Sequence, residues 1–149
     1  MNEIVTAIDI DAPVETVWAV LTDFERYPEW NRRMHITGEA REGARLRVDP
    51  GPDAGDLPTF KPRVKRADGT ELRWLGHLVV PGLFDGEHRF RLQPLGGGRT
   101  RLIQDEHFSG LLVGPITRRY GPRTEANFHA VNAALKARSE ALVAGDVAA

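Results

Sequence analysis

The sequence predicts an α+β fold in which a curved antiparallel sheet is covered by one long C-terminal helix. Three observations lead there. Short stretches of period-two alternation fill most of residues 3–109, separated by breaks rich in Gly, Pro and Asp. Helical spacing before that point is confined to a brief stretch after the first strand. From Gly114-Pro115 onward the period changes, and an amphipathic pattern runs to Val143. A rod of that length has to lay its apolar stripe on the sheet, so how closely the two surfaces meet decides what the protein can do.

Glu3 to Ile10 alternates, with Ile4, Thr6, Ile8 and Ile10 on one face, and reads as the first strand. Asp11-Ala12-Pro13 stops it. Pro13 suits a first helical turn because its missing N–H costs nothing there, and Asp11 or Glu15 favours the positive helix end. Val14, Val17, Trp18 and Leu21 then give one buried stripe of a short helix. Thr22 or Asp23 is the expected cap of a further turn or two carrying Phe24 and Tyr27, before Pro28 and Trp30. Two short helices joined in this way make a bent, aromatic-rich lid.

Five or six more strands are expected, over His35 to Glu39, Ala44 to Asp49, Thr59 to Arg66, Glu71 to Val80, Glu87 to Pro94 and Thr100 to Ser109. Asp68-Gly69 and Gly96-Gly97-Gly98 join long segments so tightly that hairpins, and hence antiparallel pairing, follow. The Pro50 to Pro58 stretch reads as a mobile loop. On the last helix Ile116, Tyr120, Phe128, Val131, Leu135 and Leu142 recur at helical spacing. Gly121-Pro122 interrupts its start, so the firm part is expected from Arg123 to Val143, about 31 Å, with Gly145 as the stop and Asp146 to Ala149 frayed.

Composition narrows the function classes. A chain of 149 residues suits one domain, 1–149, with a proper core. A formal net charge of −1 argues against a nucleic-acid partner, and the basic clusters at Lys61 to Arg66 and Arg118 to Arg123 read as solvated faces. With no cysteine, thiolate catalysis and cysteine-held metal are excluded, and a cytoplasmic location is the simplest expectation. Met1 to Thr6 do not make a secretion signal, and no apolar run approaches the ~20 residues of a membrane span. His35, His77, His88, His107 and His129 show no compact ligand spacing, so neither a metal nor a cofactor is expected. Neither Ser109 nor Ser139 sits in a nucleophile elbow, and the three glycines at 96–98 make a turn rather than a phosphate cradle.

The segment Ile8-Asp9-Ile10-Asp11-Ala12-Pro13-Val14-Glu15-Thr16-Val17-Trp18, with Leu21-Thr22-Asp23 and Tyr27-Pro28-Glu29-Trp30-Asn31, resembles the opening of the START-like (SRPBCC) superfamily. The likeness is to its polyketide cyclase/dehydrase and lipid transport branch. Gly97-Gly98-Arg99-Thr100-Arg101-Leu102 and Glu106-His107-Phe108-Ser109-Gly110-Leu111-Leu112 resemble that family's last strand and the turn before its long helix. The resemblance implies a helix-grip arrangement, with about seven antiparallel strands around the C-terminal helix and an elongated apolar cavity between them. It also implies binding of lipids, hormones or polyketides in some members and cyclase or aromatase chemistry in others, with no shared catalytic signature.

Candidate site residues follow from location. The resemblance places Trp30 near the cavity mouth, against the plainer reading of a tryptophan that locks the lid. Trp74 alternates with Leu72, Gly76 and Leu78, where Gly76 deepens a pocket or bends the strand. His88 shares its strand parity with Phe90 and joins it as a wall candidate. On the helix, Tyr120, Thr124, Asn127, Phe128 and Val131 are expected to look at the chamber, although the Thr124 hydroxyl can be satisfied by a carbonyl one turn earlier. The last strand sorts Leu102, Gln104, Glu106 and Phe108 from Arg101, Ile103, Asp105 and His107, and alternation leaves open which set faces inward. With the first set inside, Gln104 joins the wall, and Glu106 or His88 becomes the acid or base of a cyclase-like reaction.

The leading expectation is a binding protein for a small apolar or amphipathic molecule. A cyclase/aromatase-like enzyme and a macromolecular interaction protein with a filled interior are the alternatives, and homodimer formation is left open.

Overall fold

The computed structural model describes residues 2–147. Strand β1 (Glu3–Ile10) leads into helix α1 (Val14–Thr22) and a 3-10 helix at Phe24–Glu29. Six strands follow: β2 (Met34–Thr37), β3 (Arg47–Pro50), β4 (Arg63–Ala67), β5 (Glu71–His77), β6 (Asp85–Gly96) and β7 (Arg99–Ser109). Helix α2 (Val113–Ala144) is the last element. The strands form an antiparallel sheet in the order β1-β7-β6-β5-β4 and a β2-β3 ribbon. Isolated pairings of Arg45 with Arg63 and Val48 with Phe60 carry the ribbon on from β4. The α+β class, the curved antiparallel sheet and the long helix are those expected, and they make the helix-grip arrangement.

Boundaries differ where the chemistry of one residue intervenes. The strand expected from Thr59 begins at Arg63, because Pro62 has no N–H to donate; its carbonyl still accepts from Leu46 N–H at 2.8 Å. β5 stops at His77 rather than Val80, since Val79 takes a left-handed φ of 69° and turns the chain. Neither Thr22 nor Asp23 caps with its side chain: Thr22 Oγ1 donates back to the Trp18 carbonyl at 2.8 Å, and Asp23 pairs with Arg26. Asp11 pairs with Arg99 at 2.9 Å instead of serving the α1 N-terminus.

α2 also departs from expectation, running as helix straight through Gly121-Pro122. Pro122 removes the donor for the Arg118 carbonyl, but both residues lie on the exposed side, where water can replace it. Gly145 stops the helix with φ 79°, its N–H reaching the Leu142 carbonyl at 3.2 Å. Residues 148 and 149 of the expected frayed end lie outside the described residues.

The inward set of β7 is Leu102, Gln104, Glu106 and Phe108; Arg101 and His107 are exposed on the other face. Asp105 belongs to that outer face yet is fully buried, because Arg89 Nε at 2.7 Å and Arg91 Nη2 at 2.8 Å close over its carboxylate. The apolar core lies between the sheet, α1 and the second half of α2, around Ile10, Val17, Leu21, Leu72, Leu102 and Leu135. A smaller cluster of Ile4, Phe84, Phe108 and Phe128 lies apart from it.

Candidate functional site

Between the inner face of the sheet and the first half of α2 lies a cavity of about 850 Å³, within the roughly 300–1,000 Å³ of ordinary small-molecule pockets. β5 contributes Trp74 and Gly76, β6 contributes Gly86 and His88, and β7 contributes Glu106 and Phe108. The segment 50–62 adds Pro50, Leu57, Pro58, Phe60 and Pro62. Helix α2 roofs it with Ile116, Tyr120, Thr124, Asn127, Phe128 and Val131. The cavity reaches the surface beside Pro58, Arg118 and Glu125, which line it and are exposed.

The Pro50–Pro58 segment, expected to be mobile, is fastened at several points. Gly51 N–H donates to the Arg33 carbonyl at 3.1 Å, Asp53 N–H to the Arg32 carbonyl at 2.9 Å, and buried Asn127 donates to the Ala54 carbonyl at 3.1 Å. Arg32 grips both Asp53 oxygens, at 2.7 and 3.4 Å, and its guanidinium holds the Asp53 carboxyl below the usual carboxylate range.

One polar network crosses the apolar wall. His88 Nδ1 lies 3.2 Å from Glu106 Oε1, and His88 Nε2 lies 3.0 Å from Gln104 Oε1. Gln104 Nε2 donates to Asn132 Oδ1 at 2.7 Å and to the Phe128 carbonyl at 3.2 Å. Asn132 Nδ2 donates to Thr6 Oγ1 at 2.8 Å, which in turn donates to the Gln104 carbonyl at 2.9 Å.

The two backbone carbonyls orient the whole chain of bonds, because a carbonyl only accepts. Phe128 O fixes the Gln104 NH₂ toward α2, so Gln104 Oε1 faces His88 and the proton there sits on His88 Nε2. A neutral His88 then offers only a lone pair at Nδ1, and an ionised Glu106 offers only lone pairs too. A hydrogen bond across this contact therefore calls for a proton on one of the two groups. A dyad of this kind can give a proton to a ligand oxygen or take one from it. Glu106 Oε2 has no hydrogen-bond partner among the described residues, and a Cβ at Gly86 would run into it. Gly86 is thus the residue that leaves room for this carboxylate.

Of the residues expected at the wall, Trp74, His88, Tyr120, Thr124, Asn127, Phe128 and Val131 line the cavity, as does Glu106. Thr124 Oγ1 donates to the Tyr120 carbonyl at 2.9 Å, the local satisfaction open to a threonine on a helix. Three others are not among the lining residues. Trp30 packs edge-on against Tyr27 at 4.8 Å and locks the lid. Phe90 is fully buried against Trp74 and His88, and Gln104 is sealed within the polar network. Arg33, Phe60, Phe84 and Gly86 line the cavity without having been expected there. Gly86 shares the parity of His88 and Phe90, a signal that was present; Arg33 and Phe60 are brought in only by tertiary closure. Among the described residues no cluster of three metal-ligating side chains occurs, and no helix is long and apolar enough to cross a membrane.

A family described as polyketide cyclase / dehydrase and lipid transport matches residues 1–140. The chain belongs to that family. Among solved structures it is similar to a START superfamily protein from Mycobacterium smegmatis, at 25% identity and TM-score 0.72, covering 95% of this chain and 99% of that one. It is also similar to the Zhui aromatase/cyclase from Streptomyces sp. R1128, at 21% identity and TM-score 0.73, over 95% and 94% of the two chains. Norcoclaurine synthase from Thalictrum flavum shares the fold at 14% identity and TM-score 0.67, with 92% of each chain covered. No curated protein matches.

Proposed function

We propose that the protein binds a small, mostly apolar molecule between the sheet and α2, with a ligand oxygen on the His88–Glu106 pair. The observation that carries this reading is an 850 Å³ chamber whose largely apolar wall carries the His88–Glu106 pair. Desolvation supplies affinity and the dyad supplies orientation. Native mass spectrometry of the protein as purified, followed by identification of any retained compound, tests it. Gly76→Leu is the companion variant, because Gly76 lines the cavity and an added Cβ meets only Pro62 at an ordinary 3.5 Å. Retention of an apolar compound by the wild type and its loss from Gly76→Leu is the expected pair of results. A wild type that retains nothing and takes up no apolar probe defeats the reading.

The dyad also favours a second reading, a cyclase- or aromatase-like enzyme that folds a carbonyl-rich chain against the wall and moves protons through Glu106 and His88. Glu106→Gln keeps a neutral hydrogen bond to His88 and removes the transferable proton. On this reading turnover of a carbonyl-rich substrate falls by about 10²–10⁴-fold in that variant; on the binding reading affinity for a ligand falls by about tenfold.

A further inference from the structure

Arg33, at the residue before β2, lines the same cavity, and neither the dyad nor the aromatic wall accounts for it. Its Nη1 donates to Asn127 Oδ1 at 3.0 Å. Asn127 is buried, and its own NH₂ is committed to the Ala54 carbonyl at 3.1 Å, so its oxygen is fixed toward the guanidinium. The partner provided for this cation is therefore a neutral amide, which orients it and leaves its charge intact.

Arg32 and Arg138 are treated differently. Arg32 is paired with Asp53 at 2.7 Å and Arg138 with Glu29 at 2.6 Å. Among the described residues no carboxylate forms an ion pair with Arg33. Asp53 feels its charge, but both oxygens of Asp53 are held by Arg32. Of the cavity's own acids, Glu3 is exposed and makes no ion pair among the described residues, Glu106 is engaged by His88, and Glu125 faces His129 at 3.9 Å. A half-buried guanidinium without a counter-charge is costly, and its planar fork of remaining N–H donors fits an oxyanion.

We propose that Arg33, braced by Asn127, is a head-group site, and that the ligand is an amphipathic acid. Its apolar body lies on the wall of Phe60, Trp74 and Phe108, and its carboxylate or phosphate monoester sits on Arg33. The proposal rests on the cavity reading and narrows its ligand class to anions.

The test compares dodecanoate, dodecyl phosphate and methyl dodecanoate, each below its micelle concentration, as displacers of a fluorescent apolar probe. Wild-type protein is expected to bind at least one of the two anions about ten- to a hundredfold more tightly than the ester, the range of a charge-assisted hydrogen bond. Which anion binds better identifies the head group. Arg33→Met is expected to erase the preference while keeping affinity for the ester. Asn127→Asp places a carboxylate against the guanidinium and is expected to erase it as well, with folding checked by circular dichroism. Equal binding of ester and anions by the wild type, or a preference that survives Arg33→Met, overturns the head-group site and leaves the cavity reading standing. If the probe binds and none of the three compounds displaces it, the head-group site fails and the cavity reading stands; a wild type that takes up no probe defeats both.

Discussion

The two halves of α2 do different work on the same sheet. From Val131 onward the helix presses its stripe into the core: Val131, Asn132, Leu135 and Ser139 are all buried. Among residues 113–126 none is buried, and the side chains facing the sheet there look across a cavity. The stripe continues through both halves in the sequence, so hydrophobic spacing alone does not set how close the helix lies. Distance is set by what faces it. The second half meets α1 and the interdigitated Ile10, Leu72 and Leu102, whereas the first half meets Gly76, Gly86 and the edge of a strand cut short by Pro62. Small residues and a broken strand leave the space that bulky ones fill elsewhere.

The largest effect that can test this division is in the closed half. Leu135 is fully buried among core side chains, so Leu135→Ala removes packed volume without solvent to replace it. A loss of about 2–5 kcal/mol in urea-unfolding stability is expected. A loss below about 1 kcal/mol means that the second half of α2 is not the closed side. Gln104→Leu acts at the boundary between the halves and ranks next. It leaves His88 Nε2, Asn132 Oδ1 and the Phe128 carbonyl without their partner, at a cost of about 1–3 kcal/mol. Imidazole NMR sharpens the result, because the tautomer of His88 is fixed by Gln104. The variant is expected to lose the single Nε2-protonated environment that the wild type displays.

How much of this was legible in the chain follows from the same division. Strand alternation, the Asp68-Gly69 and Gly96-Gly97-Gly98 hairpins and the helical period after Gly114 are local signals, and they specify the order of elements. Parity assigns a face as well, which is why Trp74 and His88 were found. Parity says nothing of position along the strand relative to the roof. Phe90 and Gln104 share the face of His88 and Glu106 but lie toward the closed half, so they face inward without meeting the cavity. Arg33 and Phe60 reach the wall through the fastening of segment 50–62 and the pairing of Val48 with Phe60, contacts with no local signature. Pro122 departs from its local signal for a related reason: the interruption it predicts is tolerated where the open carbonyl faces solvent.

The smallest stability effect is expected in the open half and carries the sharpest contrast. Tyr120 is half-buried, lines the cavity, and has the Arg119 guanidinium 5.4 Å above its ring. Its side chain has little to lose from the fold, because the space opposite is not packed protein. Tyr120→Ala is therefore expected to change unfolding stability by less than about 1 kcal/mol, while affinity for an apolar probe drops several-fold through lost contact area. Leu135→Ala should behave in the opposite way, with lower stability and, well below its unfolding midpoint, unchanged affinity. Measuring both quantities on both variants separates the roof from the core. If Tyr120→Ala costs as much stability as Leu135→Ala, the first half of α2 is packed against the sheet in solution, and the chamber on which the functional reading depends is closed.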